Sequence, residues 1–550
     1  MFARVKKTGN YRYLQIVHNE RRDGKVRQRV IATLGRLDLL QSTGEIDALV
    51  ESCARFAEHT AVLNGLRRGD LSPARSVCVG PALVFDRLWR ELGFPKIFER
   101  LLSPRKFGFS VERAVFLTVL HRLFVSGSDR ACEYWKQNYT IAGAEPLQLQ
   151  HLYRAMGYLG EALPSDQQAG ATPFAPRCQK DRIEELHFQS RRDLFTGLHL
   201  AFFDTTSIYF EGQGGETIGR RGYSKDHRPD LPQMVVGVVL DGTGRPICCE
   251  CWPGNVSDVC TLIPIVERLK SRFGIHSVCV VADRGMISAE TMEKLKEHQV
   301  HFILGARLRN VRKIRQEVLS HTGRYQEIHG PRQRSKDPSP LKVKDVRLDA
   351  ERYVVCHNEE QARKDQADRE AIVAGLREQL EQGSKSLIGN KGYRKYVKVP
   401  SAGAFEIDES KIRGEARFDG KWVLQTDTDL AAAEVALKYK DLLLVESVFR
   451  NMKSILETRP IYHKCDETIR GHVFCSFLAV VLLKELLDRL ETAGHTVEWL
   501  RLREDLEALH EVTVDTGGKR FVIRTESKGD ATKALQAAGV ALGRVVRHAP

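Results

Sequence analysis

Two apolar runs in the middle of the chain each end on an aspartate. Leu200–Phe203 leads into Asp204, and Val278–Ala282 leads into Asp283. Apolar runs of four to eight residues that stop at turn signals are typical of buried β-strands. Open α/β sheets place their ligands at the carboxyl ends of such strands. The pattern therefore predicts two core strands that carry candidate functional carboxylates at one edge of a sheet.

The periodicity of apolar positions predicts an α/β fold with a mixed sheet, and it divides the chain into six segments. The division is a basic β-module at 1–45, a helical region at 46–198, a first core part at 199–308, a β-rich insertion at 309–428, a second, helical core part at 429–490, and a C-terminal region at 491–550. The insertion is expected because the distance from Asp283 to the next candidate acid is too long for one crossover connection.

A third acid, Glu446, lies in the helical segment that follows the insertion. Tyr439, Glu446 and Lys453 are spaced by seven residues, and Arg450 follows Glu446 by four. In one continuous helix these spacings place all four side chains along one stripe. We interpret Asp204, Asp283 and Glu446 as one carboxylate cluster that holds divalent metal. The alternative is an amphipathic helix whose outer face carries a few charges.

Composition restricts the partners of the chain. Its 550 residues have a formal net charge of +14, which favours a polyanionic partner. Charge alone does not separate nucleic acid from an anionic membrane surface. No apolar run is long enough to span a bilayer, and no apolar signal region follows the N-terminus, so a cytoplasmic location without membrane contact is expected.

The basic N-terminal segment and the cysteines each leave two interpretations open. Residues 1–36 carry ten lysines and arginines against two acids, and two strand-like runs flank Asp23-Gly24, a hairpin signal. A basic hairpin with tyrosines fits DNA phosphates, and a solvated surface hairpin is the alternative. The twelve cysteines are scattered, and Cys248, Cys249 and Cys251 fit buried strand thiols better than zinc ligands.

The ordered motifs resemble a known family. Asp204-Thr205-Thr206, then Asp283-Arg284-Gly285, then Tyr439, Glu446 and Lys453 are similar to the DDE transposases of bacterial insertion sequences. The branch is the insertion-sequence-four type, whose third acid lies in a Tyr-x2-Arg-x3-Glu-x6-Lys signature. Leu442 occupies the Arg position, and Arg450 is a candidate for the missing positive charge. Similar stretches are Gly222–Asp230, Pro253–Asp258 and Arg459–His463.

The resemblance implies an RNase H-like core interrupted by the insertion, and a two-metal-ion reaction with Mg²⁺, for which Mn²⁺ can substitute. Asp204 would bridge both ions, and Asp283 and Glu446 would each hold one. Water would cut at the element end, and the freed 3′-hydroxyl would then join target DNA. The residues implied in DNA contact are Tyr439, Arg450, Lys453, Lys225, Arg228 and Arg284.

The resemblance further implies DNA partners, namely transposon ends and target DNA, a homodimer on that DNA, and a cytoplasmic, nucleoid-associated prokaryotic protein. Two alternatives stay open: a catalytically silent DNA-binding regulator derived from a transposase, and a metal nuclease that cuts without joining. Trp422 could stack on a flipped base, although a core tryptophan is the simpler interpretation. Asp226, Asp230 and Asp258 are expected to pair with Lys225 or Arg228, or to cap a helix.

Overall fold

The structure is a computed structural model, and the chain forms two compact units. The structure describes residues 1–22, 25–54, 72–169, 171, 175–191, 200–275, 278–286, 288–334, 337–382, 395–398, 405–455, 458, 461–516 and 519–548. The smaller unit comprises residues 1–84, 137–140 and 495–550, and the larger unit comprises residues 85–136 and 141–494. The finer division into six segments stays a prediction.

The smaller unit contains two antiparallel sheets. The first has the order β1-β2-β3, from β1 (Phe2–Thr8), β2 (Tyr11–Arg22) and β3 (Lys25–Arg36), followed by α1 (Leu37–Ser42) and α2 (Glu45–Ala54). β2 and β3 pair as the arms of a hairpin, and the turn Asp23-Gly24 lies outside the described residues. The second sheet has the order β18-β17-β16-β4, from β4 (Ser72–Cys78), β16 (His510–Thr516), β17 (Lys519–Arg524) and β18 (Val546–His548).

The larger unit is built on one mixed sheet of nine strands, in agreement with the predicted α/β class. Its order is β10-β11-β12-β15-β9-β8-β5-β6-β7. The strands are β5 (Leu200–Tyr209), β6 (Gln233–Asp241), β7 (Pro246–Pro253), β8 (Cys279–Ala282), β9 (His301–Gly305), β10 (Gln326–His329), β11 (Leu341–Leu348), β12 (Glu351–His357) and β15 (Lys421–Thr426). β5, β8 and β9 run parallel at its centre, and the other pairings are antiparallel.

The predicted insertion extends this sheet within the described residues. β15 pairs antiparallel with β9, with Leu424 opposite Gly305, so β10, β11, β12 and β15 continue the core sheet. A two-stranded ribbon, β13 (Val397–Lys398) and β14 (Glu406–Ile407), is separate. Residues 409–416 form a helix whose N-terminus is capped by Asp408, and β15 begins after it at Lys421.

Helices make up much of the rest of the described chain, and serine side chains cap two of them. Ser110 Oγ accepts a hydrogen bond from Arg113 N at 3.2 Å, and Ser288 Oγ accepts one from Thr291 N at 3.0 Å. The helices after α2 are α3 (Gly80–Glu91), α4 (Phe94–Leu102), α5 (Val111–Phe124), α6 (Asp129–Trp135), α7 (Leu149–Gly160), α8 (Gln179–Arg191), α9 (Leu262–Phe273), α10 (Ala289–Glu297), α11 (Glu359–Gln382), α12 (Glu409–Ala416), α13 (Ala432–Lys440), α14 (Leu443–Arg450), α15 (Asp466–Thr492), α16 (Trp499–Glu507) and α17 (Gly529–Ala537).

The expectation of one continuous helix from Tyr439 to Lys453 is wrong. α13 ends at Lys440, α14 begins at Leu443, and a π-helical turn occupies Asn451–Ile455. A π turn contains one more residue per turn than an α-helix and changes the direction of the side chains around it. The seven-residue spacing therefore does not align Tyr439, Glu446 and Lys453 on one stripe.

No helix in the described ranges has the length and the apolar content that crossing a membrane requires. The predicted cytoplasmic location stays a prediction.

Apolar packing fixes the central strands. Ala201 and Phe203 of β5 and Val280 and Ala282 of β8 share a fully buried cluster with residues of α9 and with Leu295 of α10. Each buried side chain of the size of Phe or Val contributes about 1.5–3 kcal/mol. Because side chains alternate along a strand, this packing decides which residues of β5 and β8 face the core and which face the opposite side of the sheet.

A second element of the core is a buried network of charged side chains. It links α8 to β7 and α9. Arg272 donates to Glu184 at 2.6 Å and to Glu250 at 2.9 Å, and Lys180 contacts Asp181 at 2.5 Å. Three cations and three carboxylates of this network are buried: Lys180, Arg268, Arg272, Asp181, Glu184 and Glu250. Such a network is stable only as a complete set, because each charge has lost its hydration.

We expect Arg272→Met to lower the free energy of unfolding by about 3–5 kcal/mol, because it leaves buried carboxylates without their cation. Denaturant unfolding measures this effect. The matched control is Lys294→Met, which removes an exposed ion pair with Glu290 at 2.7 Å and is expected to leave stability nearly unchanged. Equal effects of the two substitutions would contradict a structural role for the network.

Candidate active site

The register of two strands places Asp204 beside Asp283. β5 and β8 are parallel, with Phe203 opposite Ala282, and the next residue on each strand is an aspartate. Both carboxylates are half-buried. Burial raises the pKa of Asp204 to about 6, the charges of Asp283 and Asp258 act in the same direction, and Lys225 partly offsets them. The two acids lie side by side, as the sequence predicts, but only Asp283 directly follows its strand, whereas Asp204 is the fifth of the ten residues of β5.

Tyr439 holds the second aspartate. Its hydroxyl donates a hydrogen bond to Asp283 Oδ1 at 3.0 Å. Burial and the negative charge of Asp283 raise the pKa of Tyr439, so the phenol stays a donor. The ring of Tyr439 passes over Gly305, the last residue of β9. A Cβ at residue 305 would overlap the hydroxyl oxygen of Tyr439 and would lie 3.1 Å from its Cζ. A glycine is therefore required for the close approach of Tyr439 to the sheet.

Lys225 organises the surroundings of Asp204. Its Nζ donates to the carbonyl oxygen of Thr205 at 2.7 Å and to Thr205 Oγ1 at 3.0 Å, and lies 3.1 Å from Asp258 Oδ2. Thr205 Oγ1 donates to Asp258 Oδ1 at 2.7 Å, and Thr205 N donates to Asp204 Oδ1 at 2.7 Å. The expected pairing of Asp258 with Lys225 is confirmed, and it orders the residue next to Asp204.

The structure places Lys453 in an ion pair. Its Nζ lies 2.8 Å from Asp226 Oδ1, and the two side chains are 15% and 5% exposed. Asp226 was expected to pair with Lys225 or Arg228, and its partner instead comes from the π turn after α14. Arg228 contacts Asp230 at 2.9 Å, which agrees with the expectation for Asp230.

The third candidate acid, Glu446, is exposed. It lies on the exposed side of α14, with Leu443 and Arg450, while Val445, Val448 and Phe449 face inward. Within the described ranges no group of three His, Cys, Asp or Glu side chains is placed to hold a metal ion. The assignment of Glu446 as third metal ligand therefore stays a prediction.

The remaining candidates have varied surroundings. Arg284 is exposed beside the site. His463 is buried, 3.5 Å from Asp129 and 3.2 Å from His472; burial and Arg122 lower its pKa to about 4, which fits the structural interpretation. Trp422 is partly buried on β15. Cys248, Cys249 and Cys251 are buried in β7, and burial raises the pKa of each thiol.

The paired aspartates fit a divalent cation. Mg²⁺ prefers oxygen ligands and needs only one or two protein carboxylates, since it retains several waters. Burial is the main cause of the raised pKa of Asp204, and the charge of the adjacent Asp283 adds to it; a cation between the two carboxylates would remove their repulsion. The donor set is therefore suited to a hard metal ion. Sequence reasoning did not find the contacts Tyr439–Asp283 and Lys453–Asp226, because no local pattern indicates them.

Comparisons with known proteins agree with this site. Residues 197–482, more than half of the chain, match the family described as Transposase DDE domain. Residues 3–62 match the IS1634 family transposase, N-terminal domain. No curated protein sequence matches the chain. Among solved structures, the chain is similar to a piggyBac transposase in a cryo-EM structure of its synaptic complex with hairpin DNA, at 11% identity over 78% of each chain and a TM-score of 0.35. That likeness is too weak to carry an argument.

Together, the mixed α/β sheet, the two aspartates at its centre and the match over 197–482 define the chain as a member of the DDE transposase family. With the N-terminal match, it is a DNA transposase of the insertion-sequence class. DDE transposase domains generally depend on a divalent metal.

We expect Asp204→Asn to stabilise the metal-free protein. The pKa of Asp204 is raised from 3.8 to about 6, so the folded state disfavours the carboxylate above pH 3.8, and the penalty is complete above pH 6. At pH 7.5 in EDTA the gain is about 1–3 kcal/mol, and it should shrink as the pH falls toward 4. Thermal unfolding across this pH range measures it.

The control for this prediction is Asp230→Asn. Its exposed carboxylate contacts Arg228, which lowers the pKa of Asp230, so this substitution should not stabilise the fold. If the wild-type protein unfolds at the same or a higher temperature than Asp204→Asn at pH 7.5, the Asp204 carboxylate does not destabilise the fold.

We expect Gly305→Ala to displace Tyr439, because the new Cβ would overlap its hydroxyl oxygen. The loss of stability should be about 1–3 kcal/mol in the wild-type background. It should be smaller by at least half in a Tyr439→Phe background, where the hydroxyl is absent. Denaturant unfolding of the four proteins gives the coupling, and equal costs in both backgrounds would show that the Tyr439 hydroxyl does not set the cost of a Cβ at residue 305.

Proposed function

We propose that this transposase binds the ends of an insertion sequence, cuts them by metal-dependent phosphodiester hydrolysis, and joins the 3′-hydroxyl to target DNA by two-metal-ion transesterification. The observation that carries the proposal is the adjacency of Asp204 and Asp283 on parallel strands inside the segment that matches the DDE domain. Adjacent carboxylates on neighbouring strands are suited to holding cations at a phosphate.

The finer family assignment is part of the proposal. The order of Asp204, Asp283 and Glu446, with Tyr439 and Lys453 seven residues on either side of Glu446, supports the insertion-sequence-four branch and an RNase H-like core. Leu442 departs from the signature, and we propose that exposed Arg450 supplies the missing positive charge.

Asp204 would hold both metal ions, and Asp283 and Glu446 would hold one each, with Mg²⁺ as the ion and Mn²⁺ as a substitute. When bound, such ions activate the attacking oxygen and stabilise the leaving oxygen of the phosphodiester.

The chain's own residues keep the carboxylates in place. Tyr439 occupies one side of Asp283 Oδ1 and so fixes the orientation of that carboxylate. Thr205 N holds Asp204 Oδ1, and Lys225 fixes Thr205. Preorganised ligands of this kind avoid a reorganisation cost during the reaction.

The DNA contacts are proposed from charge and exposure. Arg284 and Arg450 are exposed, and Arg228 is half-buried in the loop after β5. Tyr439, Lys225 and Lys453 have protein partners, so a direct DNA contact by them would compete with those interactions.

In the smaller unit, exposed Lys6, Lys7, Arg12, Arg27 and Arg29 of the first sheet fit DNA phosphates. A homodimer would bring two ends together.

The test is an assay with labelled element ends, target DNA and Mg²⁺. We expect the wild-type protein to give cleaved ends and joined product. Asp204→Ala, Asp283→Ala and Glu446→Ala should reduce joining by at least about a thousandfold while end binding is retained, because each removes a proposed metal ligand and none removes a DNA contact. Glu211→Ala is the control, since its exposed carboxylate lies just after the carboxyl end of β5, seven residues beyond Asp204.

The products separate the alternative functions. Cleavage without joining would indicate a metal nuclease, and end binding without cleavage would indicate a regulator. Substantial joining by Glu446→Ala would remove this residue from the proposed site.

A further inference from the structure

A largely buried ion pair lies outside the carboxylate pair and connects two parts of the site. Lys453 Nζ is 2.8 Å from Asp226 Oδ1, and both side chains are almost removed from solvent, at 15% and 5% exposed. The two residues are 227 positions apart in the chain. A charged pair in such surroundings is strong only while both members are present, because either charge alone would be left with little hydration.

Lys453 belongs to the segment that carries the third acid. It lies in the π turn Asn451–Ile455, which follows α14 directly, and Glu446 is on α14. π turns often occur at functional sites and interrupt the regular direction of side chains along a helix. The Lys453 ammonium therefore lies close to the C-terminal end of α14, the helix that carries Glu446.

Asp226 belongs to a loop that is hydrogen-bonded to β5 next to Asp204. The backbone N of neighbouring Lys225 donates to Ser207 Oγ at 2.7 Å, and Lys225 Nζ donates to the Thr205 carbonyl oxygen at 2.7 Å. Thr205 N in turn donates to Asp204 Oδ1. A short chain of contacts thus runs from Lys453 through Asp226 and Lys225 to the first carboxylate.

We propose that Lys453 is a positioning residue, which through Asp226 holds the end of the Glu446 helix in register with Asp204. The proposal rests on the proposed function and assigns to Lys453 a role other than the DNA contact expected from the sequence. A phosphate that bound Lys453 would have to break its ion pair with the largely buried Asp226 carboxylate, which is costly.

The experiment compares Lys453→Met, Lys453→Arg and Asp226→Asn with the control Asp230→Asn, an exposed carboxylate of the same loop. Two quantities are measured well below the unfolding temperature of each variant. The first is the single-turnover rate of end cleavage with saturating protein and Mn²⁺. The second is the Kd for the labelled end as a function of salt concentration.

A positioning role predicts the same loss on both sides of the pair. Lys453→Met and Asp226→Asn should each reduce the cleavage rate at least about tenfold, with the Kd and its salt dependence unchanged. Lys453→Arg should recover most of the rate, because a guanidinium still reaches the carboxylate. Asp230→Asn should cleave within about twofold of wild type.

A phosphate contact predicts a different pattern. Asp226→Asn would then cleave at the wild-type rate or faster, since it removes a negative charge near DNA. Lys453→Met would weaken end binding and reduce the salt slope by about one. Either result would overturn the positioning role.

A third measurement separates failure of this inference from failure of the proposed function. If the wild-type protein does not cleave ends, the proposed function fails. A double-mutant cycle on thermal stability still tests the pair itself: Lys453→Met and Asp226→Asn together should cost less than the sum of the two single losses. Additive losses would show that the two side chains do not act as a pair.

Discussion

The parallel pairing of β5 with β8 is the constraint on which the site depends. Each strand ends its apolar run with an aspartate, and the register that places Phe203 opposite Ala282 brings the two carboxylates together. A shift of one residue in either strand would turn an aspartate toward the apolar cluster beneath the sheet and a core residue outward. The buried contacts of Ala201, Phe203 and Val280 with α9 therefore determine where the chemistry lies.

The same pairing creates a local cost. Two half-buried carboxylates repel each other, and burial raises the pKa of Asp204 to about 6. Neighbouring side chains limit this cost without neutralising the pair: Lys225 lies beside Asp204, and Tyr439 donates to Asp283. The buried charges of α8, β7 and α9 are fully paired, whereas the site keeps an excess of negative charge. This contrast is expected where a protein holds a cation.

Local patterns predicted the elements of the fold better than their long-range contacts. The apolar runs before Asp204 and Asp283 predicted β5 and β8. The interruption between Lys440 and Leu443 has no local signal, because Asp441 and Leu442 are compatible with a helix. The continuation of the core sheet by β15 depends on pairing with a strand more than a hundred residues earlier. Likewise, the seven-residue spacing of Tyr439, Glu446 and Lys453 identified the segment but not the direction of each side chain.

The most direct measurement of the central claim is a calorimetric titration of Mn²⁺ into the protein without DNA. We expect the Asp204–Asp283 pair to form the primary ion site, so that Asp283→Asn weakens Mn²⁺ binding at least about tenfold. Glu446→Gln, whose side chain lies on the outer face of α14, should bind Mn²⁺ with nearly wild-type affinity under these conditions. Wild-type affinity in Asp283→Asn would contradict the account, as would a loss in Glu446→Gln as large as that in Asp283→Asn.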